Sequence, residues 1–123
     1  MKSNQIKNLI DIAICSFFVF LCTLVLAILL YPGTTFHDHT TIGYSMSLNF
    51  LSDLGRTLTY LDEPNFFSSV LFVISTISVF IGLTTYFLSF PLVVIKNKIS
   101  HFLAWFGSIF GIIRGIAFIG IGF

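Results

Sequence analysis

Tyr44 to Arg56 reads YSMSLNFLSDLGR, a row of Ser, Asn, Asp and Arg between two long apolar runs. A carboxylate, a carboxamide, hydroxyls and a guanidinium at helical spacing can bind an anion or a lipid headgroup through charge-assisted hydrogen bonds. A further charged residue, Arg114, lies within a 22-residue apolar run, Phe102 to Phe123. An arginine inside such a run is expensive and marks a pairing or functional position by default. Counted from Phe102, Arg114 is about 18 Å along a helix, beyond the bilayer midplane. That depth brings it toward the side that carries Asp53, Asp62 and Glu63. Asp53 is then the expected partner of Arg114, with Asn49 or Ser52 adding a hydrogen bond. Asn49, Ser52, Asp53, Arg56 and Arg114 form the candidate ligand or headgroup site. The competing reading has the polar stripe simply facing water.

Other chemistry has less to build on. His37-Asp38-His39 could present two imidazoles and a carboxylate to zinc, but no third ligand follows at fixed spacing. His37 and His39 are weak metal candidates, and His101 falls across the membrane from them. Ser45, Ser47 and Ser52 lie near Asp53 without a G-x-S-x-G elbow, so no catalytic nucleophile is assigned. No glycine-rich loop suits a phosphate, and no cofactor is expected.

The chain has 123 residues, 56% of them hydrophobic and 9% charged, with a mean hydropathy of +1.01. Soluble domains carry about 25% charged residues, so lipid is the solvent these numbers fit. The net charge of +1 leaves no electrostatic footprint for nucleic acid. Cys15 and Cys22 stand two turns apart on one helix, too far to bridge, and are expected to be small buried apolar residues.

Three runs approach the roughly 20 residues a spanning helix needs. Ile12 to Tyr31 supplies 20 uncharged residues before Pro32-Gly33, and Phe66 to Ile95 supplies thirty. Thirty residues would reach about 45 Å as one helix, so the second must tilt or end near Pro91. The first run exceeds the ~7–15 residues of a signal-peptide core and lacks a cleavage site, so it is read as retained. The expected fold is all-α and membrane-integral, a single domain over residues 1–123. Its spans lie at about residues 10–31, 66–91 and 101–123. Asp62 is expected to cap the second, with Glu63 and Pro64 in its first turn. Lys2, Lys7, Lys96 and Lys98 gather on one side, which the positive-inside rule makes cytoplasmic. The N-terminus is then inside, the C-terminus outside, and residues 32–65 form an outer segment.

Within that segment Met46, Phe50 and Leu54 recur every fourth residue, opposite Ser45, Asn49, Ser52, Asp53 and Arg56. The two stripes predict a short amphipathic helix over about residues 45–54, lying at the interface. In the second span Ser68, Ser75, Ser78, Gly82, Thr85 and Ser89 form a stripe of small residues. In the third, Gly107, Gly111 and Gly115 make a doubled G-x-x-x-G. Such stripes let helix backbones approach closely in lipid.

The run from Tyr31 to Thr57, YPGTTFHDHTTIGYSMSLNFLSDLGRT, resembles a domain-of-unknown-function family of small prokaryotic integral membrane proteins. The resemblance rests on Tyr31-Pro32-Gly33, on Gly43-Tyr44-Ser45 and on Asn49-Phe50-Leu51-Ser52-Asp53-Leu54-Gly55. It implies a six-span bundle in a prokaryotic cytoplasmic membrane, of which this chain matches the first half. A more distant likeness is to six-span stress and autophagy-modulator proteins. His37 and His39 do not belong to the pattern. The family has no agreed activity, so the resemblance implies architecture rather than function. With three spans, the chain is expected to contact further transmembrane helices, from another chain or from a missing second half.

Two functions are therefore carried forward. The first is a non-enzymatic structural or lipid-contacting subunit of a larger membrane assembly. The second is a membrane-embedded lipid-modifying enzyme with its site at the outer polar cluster.

Overall fold

The computed structural model describes residues 2–94 and 97–120. Lys96 and residues 121–123, the end of the third expected span, lie outside the described residues. Three long helices carry the architecture: α1 (Lys2–Leu29), α2 (Phe66–Val93) and α3 (Lys98–Ile119). All three are long and apolar enough to cross a membrane, as an integral membrane protein requires. Among the described residues there are no strands, only two isolated bridges in the segment between α1 and α2.

α1 starts eight residues earlier than the expected span. Nothing between Lys2 and Ile12 breaks a helix, so it continues through the polar head of the sequence and past Asp11. Pro32-Gly33 then turns the chain. Gly33 has a φ of +135°, and a Cβ there would sit 2.5 Å from the Thr41 carbonyl, so the turn requires glycine. The Gly33–Ile42 bridge and the Thr34 N–H bond to the Thr41 carbonyl (2.7 Å) close a compact loop.

α2 begins at Phe66 with Asn65 in the N-cap position, rather than being capped by Asp62. Asp62 instead occupies a left-handed turn, φ 59°, with its N–H on the Thr59 carbonyl. The reason lies in Asn65, whose amide donates to the Leu54 and Arg56 carbonyls at 3.3 and 2.8 Å and ties the start of α2 to the short 3-10 helix Leu51–Gly55. At the other end Pro91 sits in the last turn, where its missing N–H is tolerated, and α2 runs two residues further.

α1 and α3 both pack on α2 and barely meet each other. The α2 contact face is built from small hydroxyl residues. Ser75, Thr76, Ser78 and Ser89 are buried, and each donates its hydroxyl to a carbonyl of the preceding turn. That back-bonding satisfies the hydroxyls within the helix, which an apolar solvent demands. Ser68 instead reaches across to the Ala27 carbonyl of α1 at 2.8 Å. Ala27, Tyr31, Leu54 and Phe72 form the buried core around this crossing.

On α3 the buried stripe is Ala104, Ser108, Gly111 and Gly115. Gly111 lies under the Phe87 ring, and a Cβ on Gly115 would come 3.2 Å from the Phe80 ring. Gly107 is exposed, with open space where its Cβ would be. The three glycines of the motif do not act as one seam, because residues at i, i+4, i+7 and i+11 follow a straighter line along a helix than residues at i+4 and i+8.

Candidate functional site

The segment joining α1 and α2 folds as a cap over the ends of those helices. The amphipathic helix expected over 45–54 is replaced by turns followed by a 3-10 helix, η1 (Leu51–Gly55). Side chains displace the helix. Asn49 Oδ1 accepts the Ser45 N–H at 2.9 Å, and Asp53 Oδ2 accepts the Phe50 N–H at 2.9 Å. Asx side chains that capture backbone donors favour turns over continuous helix.

Asp53 is the centre of the cap, 4% exposed. Besides Phe50, its Oδ2 accepts from Asn49 Nδ2 at 3.1 Å, while Oδ1 accepts the Tyr60 hydroxyl at 2.8 Å. Asn49 Nδ2 also donates to the Thr34 carbonyl (2.9 Å), and Thr34 Oγ1 accepts the Tyr60 N–H (3.1 Å). Arg56 stacks on the Tyr60 ring at 4.2 Å, and its Nε donates to the Leu58 carbonyl. Three donors therefore hold one buried carboxylate, and a cation stacks on the ring of one of them. Burial, and then the hydrogen bond and charge of Asp53, push the Tyr60 hydroxyl above its usual pKa. Burial and then Asp53 do the same to Tyr44.

The cap thus brings Asn49 and Asp53 together and sets Arg56 beside Tyr60. Ser52 is exposed and outside the network. Arg114 is elsewhere. Among the described residues no acid and base approach within 4.0 Å, so the expected Asp53–Arg114 pair is not formed. α3 meets α2 through Gly111 against Phe87 and Gly115 against Phe80 and Leu83, which sets Arg114 about 25 Å along α2 from its cap end. Counting depth from the first apolar residue of α3 assumed that helix starts level with the end of α2. Its N-terminal turns project beyond that end instead.

Arg114 lines a cavity of about 780 Å³ between α1 and α3, floored by α2. Ile10, Ala13, Ile14 and Phe17 form the α1 wall, and Gly82, Phe87, Phe90 and Val93 belong to the floor. Apart from Arg114 and a few hydroxyls the lining is apolar. No side chain among the described residues fills this space, and its size matches a ligand- or partner-sized site.

At His37 and His39 the loop serves its own geometry. The His37 ring stacks edge-on to Phe36, and Asp38 accepts from the Thr40 N–H and hydroxyl at 2.8 and 2.7 Å. Those bonds hold the Asp38 carboxyl below its usual range. Among the described residues no three His, Cys, Asp or Glu side chains converge.

Sequence reasoning missed Thr34, Tyr60 and Asn65 in the cap, and Asp11 on α1. The cap residues bond across 7 to 26 positions of irregular chain, where no periodicity signals them. Asp11 was legible as a charge continuous with the apolar run. Comparison with family models, with curated proteins and with solved structures finds no match.

Proposed function

We propose that the chain is a structural subunit of a membrane assembly, and that its groove between α1 and α3 receives a hydrophobic partner. The observation that carries this reading is the groove itself: an apolar trench of about 780 Å³ with a guanidinium in its wall. A lone spanning arginine is stabilised only when something supplies a counter-charge or water. Large apolar side chains along α1, among them Phe17 and Phe18 at 56% and 61% exposure, offer further surface to lipid or protein. The lysine distribution supports an orientation with the N-terminus in the cytoplasm and the cap outside. On the cap, Ile42 and Met46 are 94% and 78% exposed, apolar enough to rest among outer-leaflet headgroups. The resemblance of Tyr31–Thr57 to small prokaryotic membrane proteins belongs to the same proposal.

The alternative, a lipid-modifying enzyme at the polar cluster, has less support. Asp53 is already committed to three donors, and Arg114 stands away from it. Extraction in a mild detergent and identification of everything that co-migrates tests the reading. The expected result is a particle larger than one chain. A bare monomer in several mild detergents and in lipid nanodiscs would overturn it.

A further inference from the structure

Apart from the lysines near the helix starts (Lys2, Lys7 and Lys98), two charges stand on the spanning helices away from the cap: Asp11 on α1, one turn beyond Lys7, and Arg114 on α3, both exposed. Among the described residues neither has an opposite charge within 4.0 Å. Their depths follow from helix contacts. A Cβ on Gly82 would come 3.2 Å from Ser16 Cβ and 3.5 Å from the Ala13 carbonyl, so Gly82 is level with that turn of α1. Asp11 lies two residues beyond Ala13 and five beyond Ser16, level with Thr84 to Phe87 of α2. On the other side Gly115 faces Phe80 and Leu83, which puts Arg114 level with Leu83. The two charges therefore share a depth to within about one helical turn, ~5 Å. The groove separates them, with Ile10 and Ile14 on one wall and Arg114 on the other.

We propose that the groove is the interface of a symmetric dimer. α1 of a second copy lies in it, with Asp11 of each copy against Arg114 of the other. This rests on the reading of the chain as an assembly subunit and names the partner. Two copies inserted in the same direction and related by a two-fold axis along the membrane normal hold equal residues at equal depths. The partner's Asp11 thus arrives within about one helical turn of the depth of Arg114. The α1 face that carries Asp11 continues through Cys15, Phe18, Cys22 and Leu29, all exposed. Its two small cysteines allow a close approach. A helix also suits the trench better than an acyl chain. The floor runs from Ser78 to Val93, about 22 Å, whereas one leaflet of hydrocarbon is about 15 Å thick.

Cross-linking between two differently tagged full-length chains in lipid vesicles tests this. One chain keeps Cys15 and carries Cys22→Ser. The other carries Cys15→Ser, Cys22→Ser and Ala117→Cys. Cys15 and position 117 each lie one turn from the charge they report, in the same direction. Mixed chains should form the disulfide. Asp11→Asn in one, or Arg114→Gln in the other, should weaken association about tenfold or more, as close buried charge pairs do. Exchange of the two charges, Asp11→Arg with Arg114→Asp in both chains, should restore it. That double variant keeps the test informative if a single variant folds poorly. A chain carrying both thiols that cross-links only within itself would overturn the dimer, as would an unaffected yield in the single variants. A wild-type chain that stays single but co-purifies with another protein would overturn the dimer and leave the subunit reading standing. A single chain with no companion would sink both.

Discussion

Asp53 shows how one residue can organise a segment without regular structure. Its carboxylate is buried with no cation within 4.0 Å among the described residues, so its stability depends on three donors: Asn49, the Phe50 N–H and Tyr60. Hydrogen bonds to a charged group are worth roughly 1.5–3 kcal/mol each, and removing the acceptor strands the donors as well. Asp53→Ala is expected to destabilise the protein by about 3 kcal/mol or more, read as a drop in Tm in detergent. An unchanged Tm would show that the cap does not depend on it. The Tyr60 hydroxyl gives a second test. Its folded-state pKa is raised by burial and by Asp53, so the folded state favours the protonated phenol. That stabilisation is fully present below the unfolded value of about 10 and is lost as pH rises through the higher folded value. Wild type should therefore lose more stability between pH 9 and 11 than Tyr60→Phe, which cannot ionise there. Parallel curves would contradict the Tyr60–Asp53 bond. The importance of Asn49 and Asp53 was legible in their spacing. Their partners were not, because Thr34 and Tyr60 reach them through tertiary folding of a loop.

The helices were largely legible, since long uncharged runs bounded by Pro32-Gly33 and by lysines leave few alternatives. What the sequence did not reveal was how they register against one another. A G-x-x-x-G motif marks a possible approach, yet only contact geometry decides which glycines face a neighbour. Gly111 lies under the Phe87 ring, while Gly107 faces open space. Gly111→Leu is expected to cost about 1–3 kcal/mol by overpacking, and Gly107→Leu to fall within about 0.5 kcal/mol of wild type. Thermal unfolding of the two variants side by side checks this, and equal effects would contradict the α2–α3 packing. The interfacial helix over 45–54 failed for a local reason. Its stripes were amphipathic, but Asn49 and Asp53 capture the backbone donors of Ser45 and Phe50, and the chain settles into turns and η1.

At the scale of the whole molecule, the described residues form three helices around a groove, with Asp11 and Arg114 within about one helical turn of the same depth. The orientation matters to what can enter. With the lysines inside, an impermeant thiol reagent should label a Thr40→Cys variant in intact cells, in a background with Cys15 and Cys22 replaced by serine. Labelling only after permeabilisation would reverse the topology. The central claim is that a second copy of the chain, rather than lipid alone, occupies the groove. The most direct measurement counts fluorophore bleaching steps from single-labelled chains in vesicles dilute enough to hold one particle each. Two steps per particle for wild type, falling to one for Arg114→Gln, is the predicted result. A population of single steps for wild type, identical to that of the variant, would contradict it.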